Sequence, residues 1–495
     1  MHSTNRVQPD DVTPSTKPTS VIRGSTRTLR KVLSTSLLST ALAWTFAFCC
    51  SVGNIFSGRG AELQSNQEFL VAKMLWFHCF FCTMTVSIFL TLLLTEQLAD
   101  QSTHSPLVYW SKRLACLMSP YFVILAFPVI GGCELFHYLL EADKTPKASV
   151  YFTHICFYVF VGCTDVQTRF LYRTETTRGL IRTRQQLLRY QRRLSEHPNK
   201  KPLRPERRRF VRVLLHDLPL VASAVFATAY VHIVSAFKIV TQWDLALFAL
   251  CSVSLKLLLQ ELAKSFLTKK RQTPNMRTMA ITVAAPTILI DTQLRTVLLC
   301  QDSASMTVVG SLLLAAAEVC ARVAKTVYVQ WHVHRIQAQR PQQNPVLRIL
   351  PGAKSPTTIN FVHVAPLRTT SSMRIIDPIE DRIHRALSLH AVEVYADMNA
   401  EYIAMGCSYG ILFFFGSHPK YQLANGTGIS RWTNASITGL QLGLEMVVDI
   451  VSCALEIRRG IDFEQFHKEN SFLAVFMMAV ALVNVHISSG IYLHV

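Results

Sequence analysis

The stretch QLGLEMVVDIVSCALEIRRG, residues 441–460, decides how the rest of the chain is read. Glu445, Asp449 and Glu456 interrupt a run otherwise made of Leu, Val, Ile, Ala, Met and Cys that is long enough to cross a bilayer. A carboxylate at the bilayer centre costs at least a few kcal/mol, so three on one helix need inward-facing company. At 100° per residue, Gln441, Glu445, Asp449, Ser452 and Glu456 share about 80° of arc. Gly439, Gly443, Val447, Ile450 and Ala454 take the opposite side, with a small-residue spacing that suits close helix contact. The polar stripe is expected to face other helices or water, never acyl chains.

The chain around this helix reads as an all-α polytopic membrane bundle. It has 495 residues, 50% of them hydrophobic and only 16% charged. Apolar runs of about 18 residues or more cross the hydrocarbon core as helices, because backbone groups in lipid must bond within the segment. Eleven such runs lie near 32–56, 69–95, 114–133, 148–164, 218–238, 244–264, 278–299, 306–327, 398–416, 437–457 and 471–493. The ninth has a short strongly apolar part, Tyr402 to Phe415, with Asp397 and Glu401 just before it. Pro120 and Pro128 in the third and Pro286 in the seventh predict kinks.

Lys and Arg set the orientation, since positive charge is retained on the cytoplasmic side. Alternating the sides of successive segments places most of the 50 Lys and Arg on one side, 15 of them in 165–217, and leaves five on the other. The N-terminus is therefore expected in the cytoplasm and the C-terminus outside. The sequons at Asn425 and Asn434 fall in the outward loop 417–435 and make the protein a candidate glycoprotein. The first apolar run reads as a signal-anchor and not as a cleaved leader. These features suit the plasma membrane or an endomembrane of a eukaryotic cell. The thirteen cysteines lie nearly all in spans, which argues against a disulfide framework; Cys133 with Cys300 is the one pair near outer ends.

The expected organisation is a disordered basic tail at 1–31, four spans in 32–164, a basic loop at 165–217, four spans in 218–327, a flexible linker at 328–380 and three spans in 381–495. Early in the basic loop, apolar residues at 170/171, 180/181, 187/188 and 194 recur at helical spacing, with arginines on the other face. Such a helix is drawn to anionic inner-leaflet lipid, each basic residue near that surface contributing about 1 kcal/mol. Nothing supports nucleic-acid binding.

Other spans supply partners for the stripe. Lys256 lies mid-span with Ser252 one turn away, and Thr307, Ser311, Glu318, Arg322 and Lys325 share a face. Asp291 with Arg295, and Glu318 with Arg322, are i,i+4 pairs of opposite sign. At 1.5 Å per residue, Lys256, Glu318 and Asp449 each lie about 18 Å from the expected outer boundary. One reading makes Glu445, Asp449, Glu318, Lys256 and Asp291 the lining of a pathway for a cation or small solute. The other has the i,i+4 pairs neutralise each other and Lys256 neutralise Asp449, as structural register only. A non-transporting scaffold or receptor is the alternative function.

Lesser features carry less. His78-Cys79-Phe-Phe-Cys82 has metal-ligand spacing but no second pair, so packing is the expected role. Asn484 and Ser488 read as interhelical glue. Glu393, Asp397 and Glu401 form an acidic stripe, either solvated or a cation-attracting vestibule at the cytoplasmic mouth. There is no GxSxG, HExxH, P-loop or strand-linked GxGxxG, and the span histidines His78, His232 and His486 stand alone; no enzyme or cofactor is expected.

Overall fold

The computed structural model describes residues 18–99, 105–142, 144–196, 229–230, 241–269, 276–300, 304–338, 378–423, 431–463 and 470–494. These form the helices α1 Pro18–Val52, α2 Asn66–Leu93, α3 Pro106–Leu139, α4 Thr145–Glu175, α5 Thr177–Glu196 and α6 Gln242–Lys269. They continue as α7 Met276–Leu299, α8 Ala304–Ala338, α9 Pro378–Phe415, α10 Arg431–Arg458 and α11 Asn470–Tyr492. Among the described residues there is no sheet, only two isolated bridges, Leu98 with Thr176 and Tyr421 with Leu493.

Among the described residues five helices are long and apolar enough to cross a membrane: Val21–Ser57, Asn66–Leu93, Pro106–Leu139, Thr145–Glu175 and Ser471–Tyr492. The runs expected at 244–264, 278–299, 306–327, 398–416 and 437–457 do form helices, α6 to α10. They do not reach the same apolarity, because they carry the ionisable residues that the bundle buries. Outside positions 229 and 230, the run 218–238 lies outside the described residues, as do Asn425 and His232.

Helices α7 and α9 form the centre. Almost every residue from 279 to 299 and every residue from 390 to 405 is buried, as expected of helices enclosed on all sides. They share the most extensive helix–helix interface in the bundle, and α9 also packs along α1. The close-contact spacing that matters lies on α9 rather than α10. At Gly406 a Cβ would collide with Thr40, and at Gly410 it would lie 2.7 Å from Trp44 Nε1. The two glycines let the helices approach until Trp44 Nε1 donates to the Gly406 carbonyl at 2.8 Å. On α10 the expectation fails. Nothing lies within 4 Å of a Cβ built on Gly439 or Gly443, and Val447 is 61% exposed. That face looks outward together with Leu440, Val451 and Leu455, while the acidic stripe looks in.

Two expected flexible regions are helical where described. Helix α1 begins at Pro18, within the segment read as a tail, because Val21, Leu29 and Val32 are buried and Ser25 Oγ donates to the Ile450 carbonyl on α10. Helix α8 runs to Ala338, eleven residues into the segment read as a linker; residues 339–377 lie outside the described ones. The basic loop opens with the end of α4, a corner, and then α5. Thr176 Oγ1 accepts from Gly179 N at 3.0 Å, and a Cβ at Gly179 would strike the Tyr172 carbonyl, so glycine makes the corner. Leu180, Ile181, Leu187 and Leu188 on α5 are all exposed.

The ends of α1, α2 and α9 are tied by side chains, and backbone hydrogen bonds from Gln422 to Tyr492 and from His494 to Lys420 join α11 to them. Gln64 Nε2 donates to the carbonyls of Val52, Asn54 and Arg59, holding the turn in which Gly53 has φ 70°. His418 Nε2 meets the Ser51 carbonyl at 2.9 Å, and Lys420 Nζ donates to Asn66 Oδ1 at 2.6 Å.

Candidate functional site

Helices α6 to α10 converge on a buried ionic network. At its head Lys256 Nζ of α6 lies 2.8 Å from Asp291 Oδ2 of α7, 3.2 Å from Glu401 Oε1 of α9 and 3.8 Å from Glu318 Oε1 of α8. Arg295 Nη2 of α7 stands 3.6 Å from the same Glu318 oxygen. Neither contact brings Glu318 a hydrogen bond, and both of its carboxylate oxygens are buried without one. Asp291, Glu318 and Glu401 present oxygens within 4.8 Å of one another, close enough to serve as a candidate cation-holding set among the described residues, with Lys256 Nζ against the same oxygens. Oxygen-only ligands of this kind suit hard cations.

One turn along α8, Arg322 Nη1 pairs with Asp449 Oδ1 of α10, and Tyr402 of α9 donates to the other oxygen at 2.7 Å. Further along, Lys325 Nζ lies 2.9 Å from Glu393 Oε1 and 3.3 Å from Asp397 Oδ2, and it donates to Gln260 Oε1 at 2.6 Å. Gln260 Nε2 in turn donates to Asp397 Oδ1 at 2.6 Å. At the far end His390 Nε2 stands 3.8 Å from Glu456 Oε1. The acids of α9 recur every four residues and so climb one face at about 6 Å per step. That face is matched by Lys256 and Lys325 from the neighbouring helices.

The expected residues therefore come together, with altered pairings. Lys256 does meet Glu318, but its close partners are Asp291 and Glu401, while Asp449 takes Arg322. The i,i+4 pairs Asp291–Arg295 and Glu318–Arg322 do not close as ion pairs; each arginine reaches to another helix. Glu393, Asp397 and Glu401 are neither solvated nor at a mouth. They are 4%, 7% and 5% exposed and sit inside the bundle. In the sequence they stand out less than the stripe on α10, because the strongly apolar part of the ninth run begins only at Tyr402, after all three. Their i,i+4,i+8 spacing was the available signal. Glu445 is also buried, and among the described residues no basic nitrogen lies within 4 Å of it. Its charged neighbours are Glu318, Glu401, Asp449 and Arg295.

Lesser candidates resolve as packing. His78 Nε2 meets the Phe122 carbonyl at 2.9 Å and Cys82 lies against the same ring, so the His-Cys motif bridges α2 and α3. All thirteen cysteines, including Cys133 and Cys300, are free thiols. Asn484 Nδ2 donates to Thr292 Oγ1 at 2.6 Å and Gln293 donates to Ser488, joining α11 to α7. Asn434 lies in the first turn of α10.

Comparison with known proteins finds no matching family model, no matching curated protein and no matching solved structure.

Proposed function

We propose that this chain is a multi-pass membrane protein whose ionic network on α6 to α10 takes up a cation, a proton included, and forms part of a pathway for it. The observation that carries this reading is the imbalance of the network. Among the described residues eight carboxylates, Asp291, Glu318, Glu393, Asp397, Glu401, Glu445, Asp449 and Glu456, are all buried, against the four fixed cations Lys256, Arg295, Arg322 and Lys325 and the one histidine His390. Unpaired buried charge is too costly to persist, so the excess must be met by protons or by bound cations. Glu445, beside Glu318 and Glu401 and without a base, is where the excess concentrates. In this reading α6 to α10 cross the bilayer with their charges turned inward, eleven spans in all with the N-terminus cytoplasmic, in the plasma membrane or an endomembrane.

The test is flux in vesicles reconstituted with the full chain, using a pH dye inside and gradients of protons, sodium and potassium in turn. The expected result is a flux that Glu445→Gln with Asp449→Asn reduces at least tenfold. Equal flux in the double variant, or no flux of any of the three ions in the wild type, overturns the reading.

A second reading, as a scaffold on anionic lipid, is favoured by α5, which exposes Leu180, Ile181, Leu187 and Leu188 between arginines. An amphipathic basic helix of this kind lies in the interface of an anionic membrane. Replacing Arg182, Arg184 and Arg189 with Gln should weaken co-flotation of a 165–217 peptide with phosphatidylserine vesicles at least tenfold. Equal flotation at physiological salt removes this reading.

A further inference from the structure

Apart from the acid-rich network, a second group of buried polar atoms lies between α2, α4, α11 and the 416–423 segment, with the opposite character. Lys73 of α2 is fully buried and its Nζ has no hydrogen bond; it lies 5.2 Å from the centre of the Tyr421 ring. One turn on, Phe77 stacks on His486 of α11 with centroids 3.6 Å apart. Gly490, one turn from His486, stands opposite Lys73: a Cβ there would lie 3.9 Å from Nζ and 2.9 Å from Val150 of α4. Two helices in register thus bring Lys73 to Gly490 and Phe77 to His486, and the glycine leaves the ammonium its space.

The atoms around this space are donors or donor-capable, the Cys50 thiol beside Lys73 and Tyr421 included. Among the described residues both ring nitrogens of His486, the His154 Nε2 and the Tyr421 hydroxyl are buried without hydrogen bonds. The rings of His154 and His486 are 5.4 Å apart. No carboxylate lies within salt-bridge distance of Lys73 among the described residues. The buried lysine of the network is different, since Lys256 has carboxylate partners at 2.8 and 3.2 Å. A ring face contributes only about 1–2 kcal/mol to a cation, far short of the cost of burying an unpaired ammonium.

We propose that Lys73, with Tyr421 and His486, binds a small monovalent anion, a halide or a carboxylate. An anion at this position would accept from the Lys73 ammonium, the Tyr421 hydroxyl and a His486 ring N–H. It would satisfy together groups that have nothing else to bond.

The experiment measures thermal unfolding of the full chain in detergent at fixed ionic strength, in sodium isethionate, a bulky sulfonate, or in sodium chloride or sodium acetate. Chloride or acetate is expected to raise the unfolding temperature of the wild type saturably over isethionate. A response to chloride alone identifies a halide site, and one to acetate a carboxylate site. Lys73→Met should abolish the response, and Tyr421→Phe should weaken the apparent affinity about tenfold. A wild type indifferent to both anions overturns the proposal, as does a Lys73→Met variant that responds like the wild type. If Lys73→Met does not fold, a wild-type response in Tyr421→Phe has the same force. Glu445→Gln, distant in role, should respond as the wild type does, which separates failure here from failure of the cation pathway.

Discussion

Arg322 of α8 pairs with Asp449 of α10, 127 residues away, although Glu318 stands one turn behind it on its own helix. The arginine thereby ties two helices instead of neutralising one. Asp449 is fully buried and receives both Arg322 and the Tyr402 hydroxyl. Breaking one partner of a buried pair leaves the other charged and alone, at a cost of about 3–5 kcal/mol. Arg322→Met should therefore destabilise the protein by that order, and Arg322→Met with Asp449→Leu should recover most of the loss. Unfolding of the two variants in the same detergent checks this; additive losses would contradict the pairing.

Tyr402→Phe tests the weaker half of the same site. It removes one hydrogen bond to a charged acceptor but leaves Arg322 in place, so a loss of about 1.5–3 kcal/mol is expected. The same unfolding measurement reads it, and Arg322→Met with Tyr402→Phe should show strong non-additivity because both act on Asp449.

The contact between α1 and α9 makes a steric prediction. Gly406→Leu and Gly410→Leu place side chains where Thr40 and Trp44 already stand, and each should cost about 1–3 kcal/mol or more. Gly439→Leu and Gly443→Leu on α10 meet nothing and should leave stability within about 0.5 kcal/mol. Comparing the four variants by thermal unfolding decides between the two glycine pairs.

This contrast shows what the residues alone could reveal. The polar stripe of α10 was legible because a helix has a fixed period and charge has a large cost in oil, and Gln441, Glu445, Asp449 and Glu456 are all buried. The direction of its glycine face was not legible, since spacing gives an angular position but not what lies there. An apolar face such as that of Val447 can lie exposed, so the pattern alone does not demand a neighbour. The choice of partners was hidden for a related reason. Arg322 reaches Glu318 and Asp449 equally well by length, and only the placement of α10 against α8 selects between them. Lys73 escaped notice because a single lysine in an apolar run reads as an incidental charge until Gly490 and Tyr421 are seen around it.

His418 gives a pH dependence at the tie between the ends of α1 and α9. Burial, with Lys420 and Lys73 nearby, lowers its pKa below the ordinary value of 6.5, against the opposing pull of the Ser51 carbonyl. The unfolded chain then binds a proton more readily than the folded one, so stability rises with pH through that window. The contribution is complete above pH of about 6.5 and is lost as pH falls below it. Protection of the amides of residues 416–423 against hydrogen exchange, relative to the intrinsic rate at each pH, should fall on acidification from neutral pH, and His418→Gln should flatten that response. An unchanged acid response in the variant would assign the effect elsewhere.

The pairing of Arg322 with Asp449 also bears on how such a chain is made. If α8 and α10 both enter the bilayer, α8 leaves the ribosome first, with Arg322 lacking its counter-ion until over a hundred more residues have been synthesised. The insertion machinery, or the apolar helices already released, must shelter that guanidinium during the interval. The later helices would then settle as a group, each completing the charge balance of one that preceded it.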